Sequence, residues 1–350
     1  MIRTLGQWLD YQQQVHPRSI DMGLERVGAV ARRLGLGRPA RRVITVGGTN
    51  GKGSTVAFIE AIARAAGLKV GAYTSPHLLR YNERVRIDGA EAADADLVAA
   101  FERIEAARGD TPLTYFEFGT LAALLLFEAA GLDLAVLEVG LGGRLDATNI
   151  VDPDCAVITT VDLDHQDYLG DDRESIGFEK AGILRAGKPC VLAEKDPPSS
   201  VLRHAYAIGA FAIRGFSDYL VDDLDAGWRW REPGYEIDLP DPAMPAPAQR
   251  GNAAAAIAAL RALDLPVPDQ ALREGEWGGE GRYDGWMAAP LNNAKLLPFG
   301  LYDRWIPAFA ALFAQAEGDW PRFYQRVTAL GKLPENERQQ ALQALSDGAR

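Results

Sequence analysis

Cysteine is nearly absent. Cys155 and Cys190 are the two cysteines in 350 residues. Each sits in an apolar run, DCAVITTV and KPCVLA, and reads as a buried strand thiol. That excludes a disulfide framework and fits a reducing cytoplasm, the compartment expected here. Histidine is also scarce: His16, His77, His165 and His204 make up the set. No run reaches the ~18 consecutive apolar residues of a membrane helix. The opening MIRTLGQWLDYQQQVHP has no signal-peptide core, so no membrane partner is expected. Positive charge is in deficit, with Lys and Arg at 37 against Asp and Glu at 48, a net −11. Such a chain is a poor nonspecific nucleic-acid binder, and any phosphate it holds needs a local device. Internal repeats and low-complexity tracts are missing too.

What is present suits a soluble globular protein. Hydrophobic residues make up 47% and charged residues 24%, and the length allows two or three domains. Leu5–Val15 and Leu24–Leu36 read as helices, the second stopped near Gly37 and Pro39. Short apolar runs and helical patterns then alternate. Strands are expected at Val43–Val46, Val70–Tyr73, Leu134–Val139, Ala156–Thr160 and Cys190–Ala193. Helices are expected at Thr55–Ala66 (with Gly67 as C-cap), Leu97–Ala107, Phe118–Ala130, Ser175–Arg185 and Val201–Ile208. The continuous apolar strands and the βαβ rhythm predict an α/β fold with a doubly wound, mostly parallel sheet. Phe216–Pro247 reads as a few antiparallel strands and a linker, and Asn252–Leu263 as an Ala-rich helix. After about Gly275 the alternation stops. Helices at Trp305–Gln315, Trp320–Leu330 and Glu335–Leu345 predict a mostly helical C-terminal segment. The expected division is 1–275 and 276–350.

The sharpest local signal is VITVGGTNGKGS, Val43 to Ser54. A strand feeds a Gly-rich turn that opens a helix, where backbone N–H groups and the helix N-terminus favour an anion. Gly48, Gly51 and Gly53 allow close backbone approach to phosphate oxygens. Lys52 can reach terminal phosphates, and Ser54 or Thr55 can support a metal ion or bond a phosphate. Gly53 separates Lys52 from Ser54, a departure from the general P-loop spacing. The loop indicates a nucleoside triphosphate without naming a reaction.

Further motifs occur in a fixed order: TSPHL at Thr74–Leu78, ERVRI at Glu83–Ile87, TYFEFGT at Thr114–Thr120, LEVGLGGRLDATN at Leu137–Asn149, DHQDYLG at Asp164–Gly170 and EKAGI at Glu179–Ile183. With SIDMGLERV at Ser19–Val27 and the Gly-rich loop, they resemble bacterial bifunctional dihydrofolate synthase/folylpolyglutamate synthases, relatives of the Mur ligases, from about Thr4 to Gly275. The resemblance implies a Mur-ligase central domain of P-loop type that uses ATP and Mg²⁺. It implies transfer of phosphate from ATP to a carboxylate, then attack of L-glutamate's amino group on the acyl phosphate, with dihydropteroate and reduced folate as acceptors. Thr49, Asn50, Gly51, Lys52, Gly53 and Ser54 would hold the nucleotide, and Gln249 and Asn252 its adenine. Ser75, Glu138, His165 and a carbamylated Lys180 would hold metal, with Lys52, Lys180 and His165 as the catalytic set. The pteridine would meet Asp21, Met22, Gly23 and Leu24, then Thr114, Tyr115, Phe116 and Glu117, then Leu145, Asp146 and Ala147. Phe116, expected just ahead of a helix, could stack on the ring, and Asp146 could accept its N–H groups. A monomer is expected.

The resemblance stops near Glu276. The family's second domain supplies an Asp-x-Ala-His-Asn-Pro motif that this chain lacks, and GlyArg at Gly281–Arg282 is a superficial echo. The remainder resembles the C-terminal part of a bacterial zinc aminopeptidase family. It carries no H-E-x-x-H, so no zinc peptidase site can be read from it. The junction reads as a fusion, a frameshift or an assembly artefact, and Trp286, Trp305, Phe309 and Phe313 are expected as exposed apolar surface. The main expectation is an ATP-dependent glutamate ligase. The alternatives are a nucleotide- and pterin-binding fragment without turnover, and a generic P-loop phosphotransferase.

Overall fold

The computed structural model describes residues 3–18, 20–243, 246, 248–274, 306–316, 319–331, 333 and 335–347. The expected junction at 275–276, Gly281–Arg282, Trp286, Trp305 and Ser19 lie outside these. The chain divides into two compact units, Met1–Ser75 with Asn82–Glu280, and Pro76–Tyr81 with Gly281–Arg350.

In the first unit, α1 (Leu5–Val15) is started by a Thr4/Gln7 capping box. Helix α2 (Glu25–Leu34) ends at Gly35, whose φ of 66° closes the helix before Gly37. Then follow β1 (Ala40–Gly47), α3 (Lys52–Ala65), β2 (Val70–Tyr73), β3 (Val85–Ile87), β4 (Ala90–Glu91), α4 (Asp94–Arg108), α5 (Tyr115–Ala130) and β5 (Leu132–Glu138). Strand β6 (Cys155–Ile158), α6 (Gln166–Leu169), α7 (Arg173–Ala181), β7 (Pro189–Leu192), α8 (Ser199–Ile208) and β8 (Phe211–Arg214) complete the large sheet layer. Its order is β4-β3-β2-β5-β1-β6-β7-β8. Strands β2, β5, β1, β6, β7 and β8 run parallel, and β3 and β4 pair antiparallel at one edge. From β1 the chain crosses to one side, and from β5 it crosses to the other. The carboxyl ends of β5, β1 and β6 therefore border a topological switch point, where open α/β sheets bind ligands.

Both faces of the sheet are buried, which explains the unbroken apolar strands. Ile44, Val46, Val136, Val157 and Val191 join one core with α3 and α9 (Ala248–Ala262). Their neighbours Ala156, Ile158, Cys190 and Leu192 join a second core with α7 and α8. Cys155 and Cys190 are buried free thiols, and desolvation pushes Cys190 up to about 12. A second, antiparallel sheet of β9 (Leu220–Asp223), β10 (Trp228–Glu232) and β11 (Tyr235–Leu239) packs in the first core. Trp230 donates its indole N–H to Ala254 O at 3.2 Å and so ties this sheet to α9. Helix α10 (Asp269–Glu274) follows.

The parallel sheet and its helices agree with the sequence reading, but β3, β4 and β8 were not expected from it. β3 was carried only as the motif ERVRI, and its short run gives little periodicity. Expected helix starts at Leu97 and Phe118 lie late. The helices begin at Asp94, in an acidic first turn without apolar periodicity, and at Tyr115, where the Thr114/Glu117 capping box starts the helix. Phe116 consequently sits within a helix, not ahead of one.

In the second unit, helices Ile306–Gln315, Trp320–Gly331 and Glu335–Asp347 are present. Phe313 packs edge-on to Phe323 at 5.5 Å between ring centroids. Phe309 and Phe313 are only partly exposed, which corrects the expectation of open apolar surface there. No helix among the described residues is long and apolar enough to cross a membrane.

Candidate functional site

The Gly-rich turn is clamped between β6 and α9. Gly48 has φ 147°, and a Cβ built there would fall 1.9 Å from Thr159 Oγ1. Gly51 has φ 86°, and its Cβ would fall 2.4 Å from Asn252 Oδ1. Glycine is therefore required at both positions on space and on backbone conformation. Thr49 N donates to Thr160 O at 2.8 Å, and Asn50 N to Thr160 Oγ1 at 3.0 Å. Thr159 Oγ1 donates to Asn50 O at 2.6 Å. The amides of residues 49 and 50 thus serve the sheet edge, a narrower cradle than the whole stretch 48–54 suggested. The anion-facing donors are the first amides of α3, at Lys52, Gly53 and Ser54, which have no acceptor within the helix. Lys52 Nζ folds back, donating to Gly48 O at 3.0 Å and Thr49 O at 3.1 Å. Thr55, the alternative to Ser54 as a phosphate or metal group, spends its hydroxyl on Gly51 O at 2.9 Å. Ser54 Oγ accepts from Gln249 Nε2 at 3.2 Å, and Asn252 Nδ2 donates to Gln249 Oε1 at 3.2 Å. Both Gln249 and Asn252 lie inside α9, so a polar edge of that helix lines the loop.

Beside α3 lies a buried carboxylate. Glu138 ends β5 at 4% exposure, and its Oε2 accepts from Ser75 N at 3.1 Å. Both its oxygens are near the first turn of α3, 3.7 and 3.8 Å from a Cβ built on Gly53. Thr74, next to Ser75, is held in turn by Arg86 Nη1 at 3.1 Å. Arg86 itself forms a buried bidentate pair with Glu60. Lys180 is buried in the last turn of α7. Burial and then the charge of Lys52 lower its pKa to about 8, against the pull of Asp164. His165 has φ 48° and caps the short α6, with its Nε2 3.7 Å from Asp164 Oδ2. Among the described residues no group of three or more His, Cys, Asp or Glu gathers as metal ligands. The expected set holds just two residues of those types, Glu138 and His165.

The expected pteridine segments converge. The Phe116 ring lies on Gly140, whose Cβ would fall 2.6 Å from Phe116 Cζ. Phe116 also meets Tyr73 at 5.9 Å between ring centroids. Met22 Cε is 3.3 Å from a Cβ built on Gly142, and Gly23 N donates to Leu145 O at 3.2 Å. Leu24 precedes α2 without a side-chain cap, and Ala147 opens a short buried 3-10 turn. Thr114 and Glu117 form a reciprocal capping box on α5, with Tyr115 between them under Arg84 at 5.5 Å. Asp146 is bonded within its own turn. Its carboxylate accepts from Gly140 N, Leu141 N, Thr148 N and Thr148 Oγ1 at 2.6 to 3.0 Å. These bonds shape the 140–148 turn. Burial raises its pKa, and the same bonds oppose that rise.

Known proteins resemble the part of the chain that carries this geometry. The model of the "Mur ligase middle domain" family matches residues 46–208. A dihydrofolate synthase/folylpolyglutamate synthase of Escherichia coli (strain K12) is 52% identical over 272 residues, 77% of this chain and 64% of the relative. The chain belongs to the dihydrofolate synthase/folylpolyglutamate synthase family. A solved E. coli relative in complex with DHPP and ADP superposes with a TM-score of 0.76 at 51% identity, covering 79% of this chain and 66% of that one. A bifunctional relative with Mn, AMPPNP and L-glutamate bound gives 0.73 at 52% identity, covering 78% and 65%. The chain thus spans 64% of the length of the E. coli relative. A "Putative aminopeptidase" family model matches residues 243–342, beginning ahead of the junction expected at 276 and including α9.

Four residues that brace this region escaped sequence reasoning. Thr159 and Thr160 follow an apolar strand and resemble ordinary strand-end hydroxyls. Paired threonines at the carboxyl end of the strand beside a P-loop are the signal that was available. Glu60 and Arg86 lie 26 residues apart, and no local pattern links them.

Proposed function

We propose that this chain is an ATP-dependent amide ligase that adds L-glutamate to dihydropteroate and to reduced folates. The observation that carries the reading is the convergence of three features at one sheet edge: the α3 N-terminus after β1, Glu138 with Ser75, and the Phe116–Gly140 and Met22–Gly142 approaches. The DHPP, ADP, AMPPNP, Mn and L-glutamate held by the solved relatives support it.

In this reading Thr49, Asn50, Gly51, Lys52, Gly53 and Ser54 form the nucleotide seat, with Gln249 and Asn252 beside the adenine. Lys52 exchanges the Gly48 and Thr49 carbonyls for the terminal phosphates. The acceptor's carboxylate oxygen attacks the γ-phosphorus, the bond to ADP breaks, and an acyl phosphate forms. The α-amino group of glutamate then attacks the acyl carbon and phosphate leaves. Negative charge builds on phosphoryl oxygens in both steps, so donors fixed beforehand at the α3 N-terminus stabilise it. Glu138 and Ser75 fit a hard divalent cation, because a buried carboxylate beside a helix N-terminus is a ready oxygen donor. With His165 and a carbamylated Lys180 they would hold Mg²⁺, which supplies neutralisation of phosphoryl charge. The depressed pKa of Lys180 favours the neutral amine that carbamylation needs. Asp21, Met22, Gly23, Leu24, Thr114, Tyr115, Phe116, Glu117, Leu145 and Ala147 enclose the pteridine, and Asp146 holds the turn.

A second reading is that the site binds ATP and pteridine without turnover, since residues 243–342 match a different family model. One assay separates the two. Phosphate release is measured with ATP, Mg²⁺, dihydropteroate and L-glutamate, omitting each in turn. The ligase reading expects release only from the complete mixture. Binding of ATP and dihydropteroate by calorimetry without such release establishes the second reading, and no binding of either overturns both.

A further inference from the structure

The pteridine pocket is assembled from three separate stretches of chain, and one side chain outside the expected set joins two of them. Arg26 is in the first turn of α2. Its Nη1 lies 2.7 Å from Asp21 Oδ2, and its Nη2 donates to Asp21 O at 2.6 Å. The same Nη2 lies 3.2 Å from Glu117 Oε1 at the start of α5. One guanidinium therefore grips both the backbone and the side chain of the Asp21–Leu24 loop while reaching the capping carboxylate of the opposite wall.

The two walls need this link. Residues 21–23 have no regular secondary structure. The other backbone tie is Gly23 N to Leu145 O, which reaches the 140–148 turn and not α5. Glu117 divides its carboxylate: Oε2 accepts from Thr114 N at 2.7 Å, and Oε1 faces Arg26. Its side chain is 4% exposed and that of Arg26 is 22% exposed, so this pair is better shielded than a surface ion pair. Arg26 Nε and Glu117 Oε1 are both buried without a hydrogen bond, so the latch is not saturated. Asp21 also faces His16 Nε2 at 3.3 Å and Arg18 Nη1 at 3.6 Å. Neither of those side chains is paired with α5.

We propose that Arg26 is a positioning residue that closes the Asp21–Leu24 loop against the N-terminus of α5 and so sets the affinity for the pteridine. This rests on the pteridine assignment above. A planar fork suits the task, because it can meet two acceptors in different directions where a lysine ammonium offers a single point charge. Its action is on the pteridine side, since its partners are Asp21 and Glu117.

The test uses the full chain and two titrations of the same preparation by calorimetry, one with 7,8-dihydropteroate and one with ATP and Mg²⁺. Arg26→Met is expected to weaken dihydropteroate binding by about tenfold or more, the scale of losing a partly buried charge partner. ATP affinity should stay within about twofold. Arg26→Lys should recover part of the loss, and it decides the matter if the methionine variant does not fold. Unchanged dihydropteroate affinity in a folded variant overturns the inference and leaves the functional reading standing. A parallel fall in ATP affinity also overturns it, because the role would then be one of general stability. If the unaltered chain binds ATP but no dihydropteroate, the functional reading fails and the inference with it.

Discussion

Alanine at Gly51 and alanine at Gly53 should have opposite effects, although the two positions are neighbours in one turn. Gly51 sits at φ 86°, where an L-residue costs about 1–2 kcal/mol. Its new Cβ would stand 2.4 Å from Asn252 Oδ1, well inside an ordinary contact. Asn252 is anchored on α9, which is packed into the core, so its amide must rotate away. That breaks the Asn252–Gln249–Ser54 chain and adds about 1 kcal/mol. A loss of about 2–3 kcal/mol follows for Gly51→Ala. Gly53 lies in the helix, and its Cβ would make ordinary contacts at 3.7 and 3.8 Å with Glu138. Gly53→Ala should gain about 0.5–1 kcal/mol from backbone entropy. The two variants should therefore differ by about 3 kcal/mol in urea-unfolding free energy, and Gly51→Ala should also lose ATP binding by calorimetry. Equal stability of the two variants, or wild-type ATP affinity in Gly51→Ala, would refute the reasoning.

Thr159→Val keeps the shape that fills the space above Gly48 but removes the donor to Asn50 O, so ATP affinity should fall about three- to tenfold with little change in melting temperature. Glu60→Gln leaves Arg86 without its anion in the core and should cost about 3 kcal/mol in denaturant unfolding, displacing Thr74 and Ser75 with it. Lys180 provides a pH test on metal-free protein. Its folded pKa, about 8, lies below the ordinary lysine value of 10.5, so the folded state binds fewer protons between those values and stability should rise with pH across that window. Below pH 8 the buried ammonium costs up to about 3 kcal/mol, so Lys180→Met should be more stable at pH 7 and show a flat profile from 8 to 10.5.

The parallel layer was legible because its strands are buried on both faces and read as continuous apolar runs. The loop from Gly48 to Ser54 was legible because a turn between strand and helix needs glycine at specified places. The edge hairpin β3–β4 was not, since three- and two-residue strands carry no periodicity. Asp146 shows a different limit. A carboxylate in a family-like motif suggests a ligand contact, and the sequence gives no sign of the four hydrogen bonds that its fold neighbours make to it. Lys180 shows a third. Its charged sequence neighbour Glu179 is partly buried in a pair with Arg144, while Lys180 is almost fully buried, and two adjacent charges in the last helical turn give no sign in the sequence of which is the more buried.

The docking of α9 on α3 fixes an order of events during synthesis. The loop at residues 48–54 leaves the ribosome about 200 residues before Asn252 and Gln249 arrive to brace it. Until then the apolar flank of α3 has no cover, and the nucleotide seat lacks one side. A nascent chain stalled before Ala248 should thus engage chaperones and ignore ATP, and release of the next helix should convert it to a nucleotide-responsive state.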